Sequence, residues 1–227
     1  MGRLFKNRKE AGQLLASKLH PLIKEERNNL VILALPRGGV AIAAELSQLE
    51  KLPFEVLIIR KVGHPHNREY GIGAVAEDGS YWLNDVYLDV STHINAQIDA
   101  ILNEEKNEIE RRKKLYRNNK ALPTLKDKIV ILMDDGLATG VTAKLATQYV
   151  KNQGAKKVIL AVPVCAIESA RELRRKGIEV VCFDEFQKFL SVSQYYENFE
   201  QVDDSEVINI LNETRLLYSN RQPELGQ

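Results

Sequence analysis

The sequence has little of what secreted, membrane-bound or nucleic-acid-binding proteins usually contain. Its two cysteines, Cys165 and Cys182, lie in separate apolar stretches, which favours buried free thiols over a disulfide framework or a metal knuckle. With 32 basic and 31 acidic residues the formal net charge is +1, so no overall field attracts nucleic acid or anionic lipid. No apolar run approaches the ~20 residues of a membrane helix, and no signal core follows the basic N-terminus. These absences predict a cytoplasmic protein.

What the sequence does contain is a regular alternation of strand and helix patterns. Short apolar runs rich in β-branched residues predict strands at 30–35, 54–59, 129–133, 157–162 and 179–183. Apolar residues at helical spacing predict helices at 8–23, 40–49, 93–116, 141–152, 166–176 and 206–217. This alternation predicts an α/β fold, a three-layer α/β/α sandwich whose Rossmann-like central sheet is mainly parallel.

The 227 residues can form one domain with a single substantial core. We expect residues 30–183 to form that core, and residues 184–227 to form a small hood that the N-terminal helix could join. The segment 62–72 shows no periodicity and predicts a loop. Residues 73–77 and 80–83 flank Asp78-Gly79 and predict a hairpin.

Residues 128–142 carry the strongest functional signal. Asp134 and Asp135 stand where a predicted buried strand ends, and a loop of small residues then leads into a helix. Ligands of open α/β sheets bind beyond the carboxyl ends of the strands. The loop Ala138–Thr142 offers backbone N–H groups and hydroxyls at a helix N-terminus, which suits a phosphate. Carboxylates beside a phosphate cradle indicate a phosphorylated ribose, although such residues could also simply cap the helix.

The segment 134–142, Asp-Asp-Gly-Leu-Ala-Thr-Gly-Val-Thr, resembles the phosphoribosyl-pyrophosphate (PRPP) motif of type I phosphoribosyltransferases. Arg37-Gly38-Gly39, after the first predicted strand, resembles the pyrophosphate-binding loop of that family. Arg60-Lys61 resembles the basic pair that orotate and adenine phosphoribosyltransferases place against pyrophosphate, although it could also be a solvated basic pair.

The resemblance implies an Mg²⁺-dependent enzyme of nucleotide metabolism and nucleobase salvage. Such an enzyme transfers the 5-phosphoribosyl group from PRPP to a nitrogenous base and releases pyrophosphate. Asp134 and Asp135 would hold the ribose hydroxyls directly or through Mg²⁺-bound water, and Arg60 and Lys61 would join them in catalysis. The remaining residues would bind phosphate and pyrophosphate: Arg37, Gly38, Gly39, Ala138, Thr139, Gly140, Val141 and Thr142. The alternative is a non-catalytic regulator that binds PRPP or a nucleotide, without the helix-turn-helix or basic extension of a DNA-binding protein.

Other positions leave choices open. Ala138 stands where 6-oxopurine transferases commonly have an aspartate, so this loop is more similar to the adenine and uracil branches. Segment 63–71 lies where the family has a mobile catalytic loop, in which His64 and His66 could contact pyrophosphate and Glu69 or a histidine could transfer a proton. The long predicted helix at 93–116 could form a homo-oligomer contact or simply lengthen a crossover. Four aromatic residues could stack a base or merely pack the last helix: Phe186, Tyr195, Tyr196 and Phe199.

Overall fold

The computed structural model describes residues 5–87 and 92–219. The α-helices, in chain order, are α1 (Arg8–Glu26), α2 (Gly38–Glu50), α3 (Thr92–Arg117), α4 (Val141–Asn152), α5 (Ile167–Arg175) and α6 (Asp204–Ser219). The strands are β1 (Leu30–Ala34), β2 (Glu55–Val56), β3 (Ile59–His64), β4 (Asn67–Ala76), β5 (Tyr81–Leu83), β6 (Ile129–Met133), β7 (Lys157–Ala161), β8 (Val164–Ala166), β9 (Glu179–Val181) and β10 (Asp184–Phe186). The six helices that the sequence predicts are confirmed, with shifts of a few residues at their ends.

The central sheet is parallel and has the strand order β2-β1-β6-β7-β9. Strand β6 lies in the middle, and all five of its residues are buried. Its continuous apolar sequence fits a strand covered on both faces by helices. Because all five strands run the same way, the loops after β1 and β6 reach the same edge of the sheet, where the sequence predicts the site.

Two apolar cores cover the two faces of this sheet and give the predicted three layers. Ile129, Ile131 and Met133 of β6 belong to the core that contains α1, α2, α3 and α6. Val130 and Leu132 point the other way, into the core that contains α4 and α5. The alternation follows the two-residue period of a strand. Among the described residues, no helix combines the length and the apolar character needed to cross a bilayer.

The region after β2 differs from the prediction. The predicted strand at 54–59 is split: β2 ends at Val56, and β3 begins a separate antiparallel sheet, β3-β4-β5. The segment 62–72, predicted as a loop, is mostly paired in the β3–β4 hairpin, with Ile59 opposite Ala76 and His64 opposite Asn67. Glycines interrupt the alternation of apolar and polar residues that would indicate a strand. They are needed there because the backbones of β3 and β4 lie close together. A Cβ on Gly63 would lie 2.3 Å from the Arg68 carbonyl oxygen. The predicted hairpin around Asp78-Gly79 is confirmed as β4–β5.

Candidate active site

The loops after β1 and β6 touch each other at the carboxyl edge of the central sheet. The Leu35 N–H donates to the Met133 carbonyl oxygen at 2.9 Å. A Cβ built on Gly38 would lie 1.9 Å from Oδ2 of Asp135, and one on Gly39 would lie 2.4 Å from the Met133 carbonyl oxygen. Only glycine permits this approach. The structure therefore brings the predicted Gly38-Gly39 loop against the predicted acidic pair, at the N-terminus of α2.

The two aspartates form one compact acidic pair. Oδ1 of Asp134 accepts the N–H of Asp135 at 2.9 Å. Burial, and then the neighbouring charge of Asp135, raise the pKa of Asp134 well above its usual value. Burial also raises the pKa of Asp135, although the guanidinium of Arg8 opposes this shift. Two carboxyl groups that ionise with difficulty together favour a cation, or developing positive charge, beside them.

Arg8 is a residue of this site that the sequence analysis missed. Its Nε lies 2.8 Å from Oδ2 of Asp135, and the two side chains are only 12% and 15% exposed. Nη1 donates to the Glu200 carbonyl oxygen at 2.6 Å, and the guanidinium lies 3.7 Å from the centre of the Phe199 ring. Arg8 is the first residue of α1, after the N-cap Asn7. No local pattern could have revealed it, because its partner is 127 residues away in the sequence.

The C-terminal aromatic residues pack within residues 184–219, the part of the predicted hood that the structure describes. The Tyr196 hydroxyl donates to the Asp135 carbonyl oxygen at 2.7 Å, and the rings of Phe186 and Tyr195 stack at 4.2 Å. Phe199 covers Arg8. Hydrogen bonds from the Phe5 N–H to Tyr195 and from the Glu197 N–H to Phe5 join the hood to the N-terminal segment. These contacts favour the packing interpretation over base stacking for all four predicted aromatics.

The predicted phosphate loop begins α4. Gly140 is the N-cap residue with φ +73°, a left-handed conformation that glycine adopts at little cost. Leu137 is held by β8, because its N–H donates to Val164 at 2.9 Å and its carbonyl accepts the Ala166 N–H at 2.8 Å. Thr139 is exposed and Thr142 is half-buried. The first N–H groups of α4 have no acceptor within their own helix, so this loop can bind an anion.

The basic pair Arg60-Lys61 is not assembled as predicted. The residues lie inside β3 instead of at the end of a parallel strand, and successive side chains of a strand point to opposite faces. Arg60 pairs through its Nε with Glu105 of α3 at 2.7 Å. Lys61 lies on the other face, where its stem would be 3.0 Å from a Cβ on Gly71, itself 4.0 Å from Val141. Of the two residues, only Lys61 is placed toward the predicted phosphate loop.

Other predicted contacts lie in different surroundings. Nη1 of Arg37 lies 3.9 Å from Oδ1 of Asp204 at the start of α6, so its observed partner is in the hood. His64 lies at the β3–β4 turn, where its Nδ1 accepts the N–H of His66 at 3.1 Å. The side chain of Glu69, one candidate for proton transfer, falls outside what the structure describes.

Comparisons with known proteins agree with this geometry. Residues 5–198 match the family of the phosphoribosyl transferase domain. Proteins from two Mycobacterium tuberculosis strains, which bear provisional phosphoribosyl transferase names, are each 38% identical over 211 residues, covering 92% of this chain and 47% of theirs. The chain therefore spans about half the length of these relatives. The crystal structure of the protein TT1426 from Thermus thermophilus is 34% identical, covers 93% of this chain and 99% of that one, and gives a TM-score of 0.75.

The parallel sheet has two acids at its carboxyl edge and a loop that leads into α4 beside them, which is where open α/β folds bind their ligands. Within that class, the chain belongs to the phosphoribosyl transferase family, as the match over residues 5–198 shows. The resemblance inferred from the motif at 134–142 is confirmed at the level of the family and the fold.

Proposed function

We propose that the protein transfers the 5-phosphoribosyl group of PRPP to a nitrogenous base, with Mg²⁺, and releases pyrophosphate. The observation that carries this proposal is the contact between the two loops, in which a Cβ on Gly38 would lie 1.9 Å from Asp135. A pyrophosphate on the Gly38-Gly39 loop would therefore lie beside the carboxyls that hold the ribose. In PRPP the pyrophosphate on C1 and the hydroxyl on C2 are attached to adjacent carbons of one ribose.

The other end of the sugar would be held by the phosphate loop. Thr139, Gly140, Val141 and Thr142 would bind the 5-phosphate through backbone N–H groups and hydroxyls at the start of α4. This binding occurs away from the reacting carbon, so it converts affinity into orientation of C1. Lys61, on the face of β3 toward Val141, would add a positive charge near the phosphates.

The acidic pair fits Mg²⁺ on the chemistry of its donors. Carboxylate oxygens are the hard ligands that Mg²⁺ prefers. Burial and then repulsion from Asp135 raise the pKa of Asp134, and a divalent cation would relieve that repulsion. Asp134 and Asp135 would hold the ion directly or through its water. When bound, Mg²⁺ would neutralise charge on the leaving pyrophosphate.

The chain's own groups support a dissociative displacement. Asp134 and Asp135 would favour the positive charge that develops on the ribosyl ring as the bond from C1 to pyrophosphate breaks. A ring nitrogen of the base would attack C1 from the opposite face, giving a nucleoside monophosphate with inverted configuration. No covalent enzyme intermediate is needed. Ala138 provides no carboxyl to handle a purine proton, so we propose that the base is not a 6-oxopurine.

The direct test combines PRPP, Mg²⁺ and a panel of bases, with pyrophosphate release as the signal. The Asp135→Asn variant should lose about 100- to 1,000-fold in turnover, because it removes a charge from the reacting centre. Asp127→Asn is the matched control. Asp127 lies two residues before β6, at the opposite edge of the sheet, and its φ of +61° is one that Asn also adopts readily.

The outcomes separate the enzyme from the alternative of a binding protein. Base-dependent release that is lost in Asp135→Asn and kept in Asp127→Asn supports the proposal. PRPP binding in calorimetry, without pyrophosphate release for any base, would instead identify a non-catalytic regulator. Undiminished turnover in Asp135→Asn would refute the role given to the acidic pair.

A further inference from the structure

The two cysteines, far apart in sequence, meet behind the phosphate loop. Cys165 is the middle residue of β8, and Cys182 directly follows β9. Their sulfur atoms are 3.0 Å apart and are not bonded to each other. The Phe183 N–H donates to the Pro163 carbonyl oxygen at 3.0 Å, and Cys165 is the register partner of Glu185 in the β8–β10 pair. Backbone contacts on both sides therefore hold the two thiols together.

The two sulfur atoms are not equivalent. Cys165 is fully buried and donates its S–H to the sulfur of Cys182, a buried residue that is 6% exposed as a whole. This hydrogen bond lowers the pKa of Cys182, whereas the same contact and burial raise the pKa of Cys165. The Cys182 S–H also donates to the Glu185 carboxylate at 3.5 Å. Burial and this carboxylate act to raise the pKa of Cys182, and Arg174, which binds the carboxylate at 2.5 Å, offsets them only in part. Cys182 is thus both the more acidic and the more accessible thiol.

A structural metal site would need more than this cluster contains. Cys165, Cys182 and Glu185 are the only group of three potential ligands found among the residues that the structure describes. Structural zinc sites have four ligands, and Zn–S bonds of about 2.3 Å in a tetrahedron place two sulfurs roughly 3.8 Å apart. The observed 3.0 Å is shorter and suits a dithiol.

We propose that Cys165 and Cys182 are an oxidation site at which a peroxide converts the dithiol into an intrachain disulfide. The Cys182 thiolate attacks a peroxide oxygen, the O–O bond breaks, and protonation gives a sulfenic acid and one water from hydrogen peroxide. The Cys165 sulfur then attacks the Cys182 sulfur, and the sulfenic hydroxyl leaves as a second water with the Cys165 proton. Two thiols and one hydrogen peroxide thus give one disulfide and two waters.

The position of Cys165 links this oxidation to the phosphate loop. Its neighbours Val164 and Ala166 make both backbone hydrogen bonds to Leu137, and Ser169, just beyond β8, donates to the Ala138 carbonyl oxygen at 2.5 Å. Disulfide formation brings the sulfurs from 3.0 Å to about 2.0 Å, so β8, the segment at Cys182 or both must shift. We expect the oxidised protein to bind PRPP several-fold more weakly; this consequence rests on the proposed function.

The oxidation itself is tested without any activity assay. The purified protein is treated with hydrogen peroxide, unfolded, labelled with a maleimide and weighed by mass spectrometry. We expect the loss of two hydrogens, no labelled thiol and a peptide pair cross-linked through Cys165 and Cys182, all reversed by dithiothreitol. Cys165→Ser should instead gain oxygen at Cys182. Thiols that remain labelled, disulfides only between chains, or stoichiometric zinc that is lost in Cys182→Ser would each overturn the proposal.

The link to the loop is tested by calorimetry of PRPP with Mg²⁺ on the reduced and the oxidised protein. The double variant Cys165→Ala/Cys182→Ala, treated with peroxide in the same way, controls for damage elsewhere. A several-fold rise in Kd in the native sequence alone supports the coupling, and an equal Kd in both states refutes it. If even the reduced protein fails to bind PRPP, the proposed function fails while the mass measurement still decides the oxidation.

Discussion

The same chemical pair, a carboxylate with a guanidinium, occurs in two regions of the molecule with opposite consequences. Glu77 follows β4 and pairs with Arg117, the last residue of α3, at 2.9 Å, with side chains only 7% and 1% exposed. Asp135 follows β6 and pairs with Arg8 at 2.8 Å in a more open setting. The first pair joins a helix to the antiparallel sheet, whereas the second lies at the carboxyl edge beside another acid.

The difference lies in what each pair leaves unsatisfied. Burial raises the pKa of Glu77 despite the nearby charge of Arg117, and Nε and Nη1 of Arg117 have no hydrogen-bond partner among the described residues. That desolvation is a cost for the fold, and a ligand is not required to explain it. At Asp135 burial raises the pKa and Arg8 opposes this shift only in part, while a second carboxyl, that of Asp134, adjoins it. The more deeply buried pair thus serves the fold, while the slightly more exposed pair beside a second acid can serve a ligand.

The largest effect is expected from Arg117→Met, which should lower the free energy of unfolding by about 3–5 kcal/mol because Glu77 would stay buried without a counter-charge. Turnover per folded molecule should not change. Urea denaturation followed by circular dichroism measures the first quantity. The double variant Glu77→Gln/Arg117→Met keeps an acceptor for the Ile58 N–H, 3.1 Å from Glu77 in the native protein, and should recover most of the loss. A single-variant loss below ~1 kcal/mol would show that the pair is no more than a surface bridge.

Gly38→Ala should have the next largest effect, and here the quantity that changes is turnover. The new Cβ cannot coexist with Oδ2 of Asp135 at 1.9 Å, so the loop or the carboxylate must move, and about 100-fold of turnover should be lost. Gly79→Ala is the matched control. Gly79 has φ +83° and no atom within 4 Å of a Cβ, so that change should cost about 1 kcal/mol of stability and no activity. Equal pyrophosphate release by Gly38→Ala and the native protein would contradict the contact.

The features that could be predicted from sequence depend on neighbouring residues. The run Ile129–Met133 predicts a buried strand, and the acids and small residues after it predict a ligand-binding site at the carboxyl edge of the sheet. Both signals can be read because each lies within one strand–loop–helix unit. The contact of Gly38 with Asp135 follows from the same logic, since parallel strands β1 and β6 end at one edge. The family resemblance required nothing beyond these local patterns.

What could not be predicted depends on pairs distant in the sequence. Arg60 faces α3 and Glu105, whereas the neighbouring Lys61 faces the predicted phosphate loop, because both belong to one antiparallel strand. That strand could not be predicted because glycines interrupt its pattern. Arg8 meets Asp135 only because the N-terminal segment pairs with the hood through Phe5. Such partners are set by topology, which periodicity along one segment does not encode.

Arg8→Met should reduce turnover about tenfold, which corresponds to the loss of one charge-assisted hydrogen bond of ~1.5 kcal/mol. Arg8 holds the pKa of Asp135 down against burial, so its removal raises that pKa and leaves more of the carboxyl protonated at a given pH. The acid limb of the kcat/KM profile should therefore move to higher pH. Arg8→Lys, which keeps the charge, should return most of that shift. If the acid limb does not move in Arg8→Met, Arg8 serves the fold, as Arg117 does, and does not set the pKa of Asp135.

The smallest effect is expected from Phe199→Leu. This change leaves Arg8 and Asp135 in place but removes the ring that lies 3.7 Å from the guanidinium, a contact worth about 0.5–1 kcal/mol at a partly exposed site. Turnover should therefore fall by roughly two- to fivefold, and Phe199→Tyr, which retains a ring face, should match the native protein. A loss in Phe199→Leu as large as that in Arg8→Met would mean that the ring, and not the charge, positions Asp135. A larger loss of turnover in Arg8→Met than in Phe199→Leu would instead mean that the ion pair of Arg8 with Asp135 positions the carboxylate for its ligand.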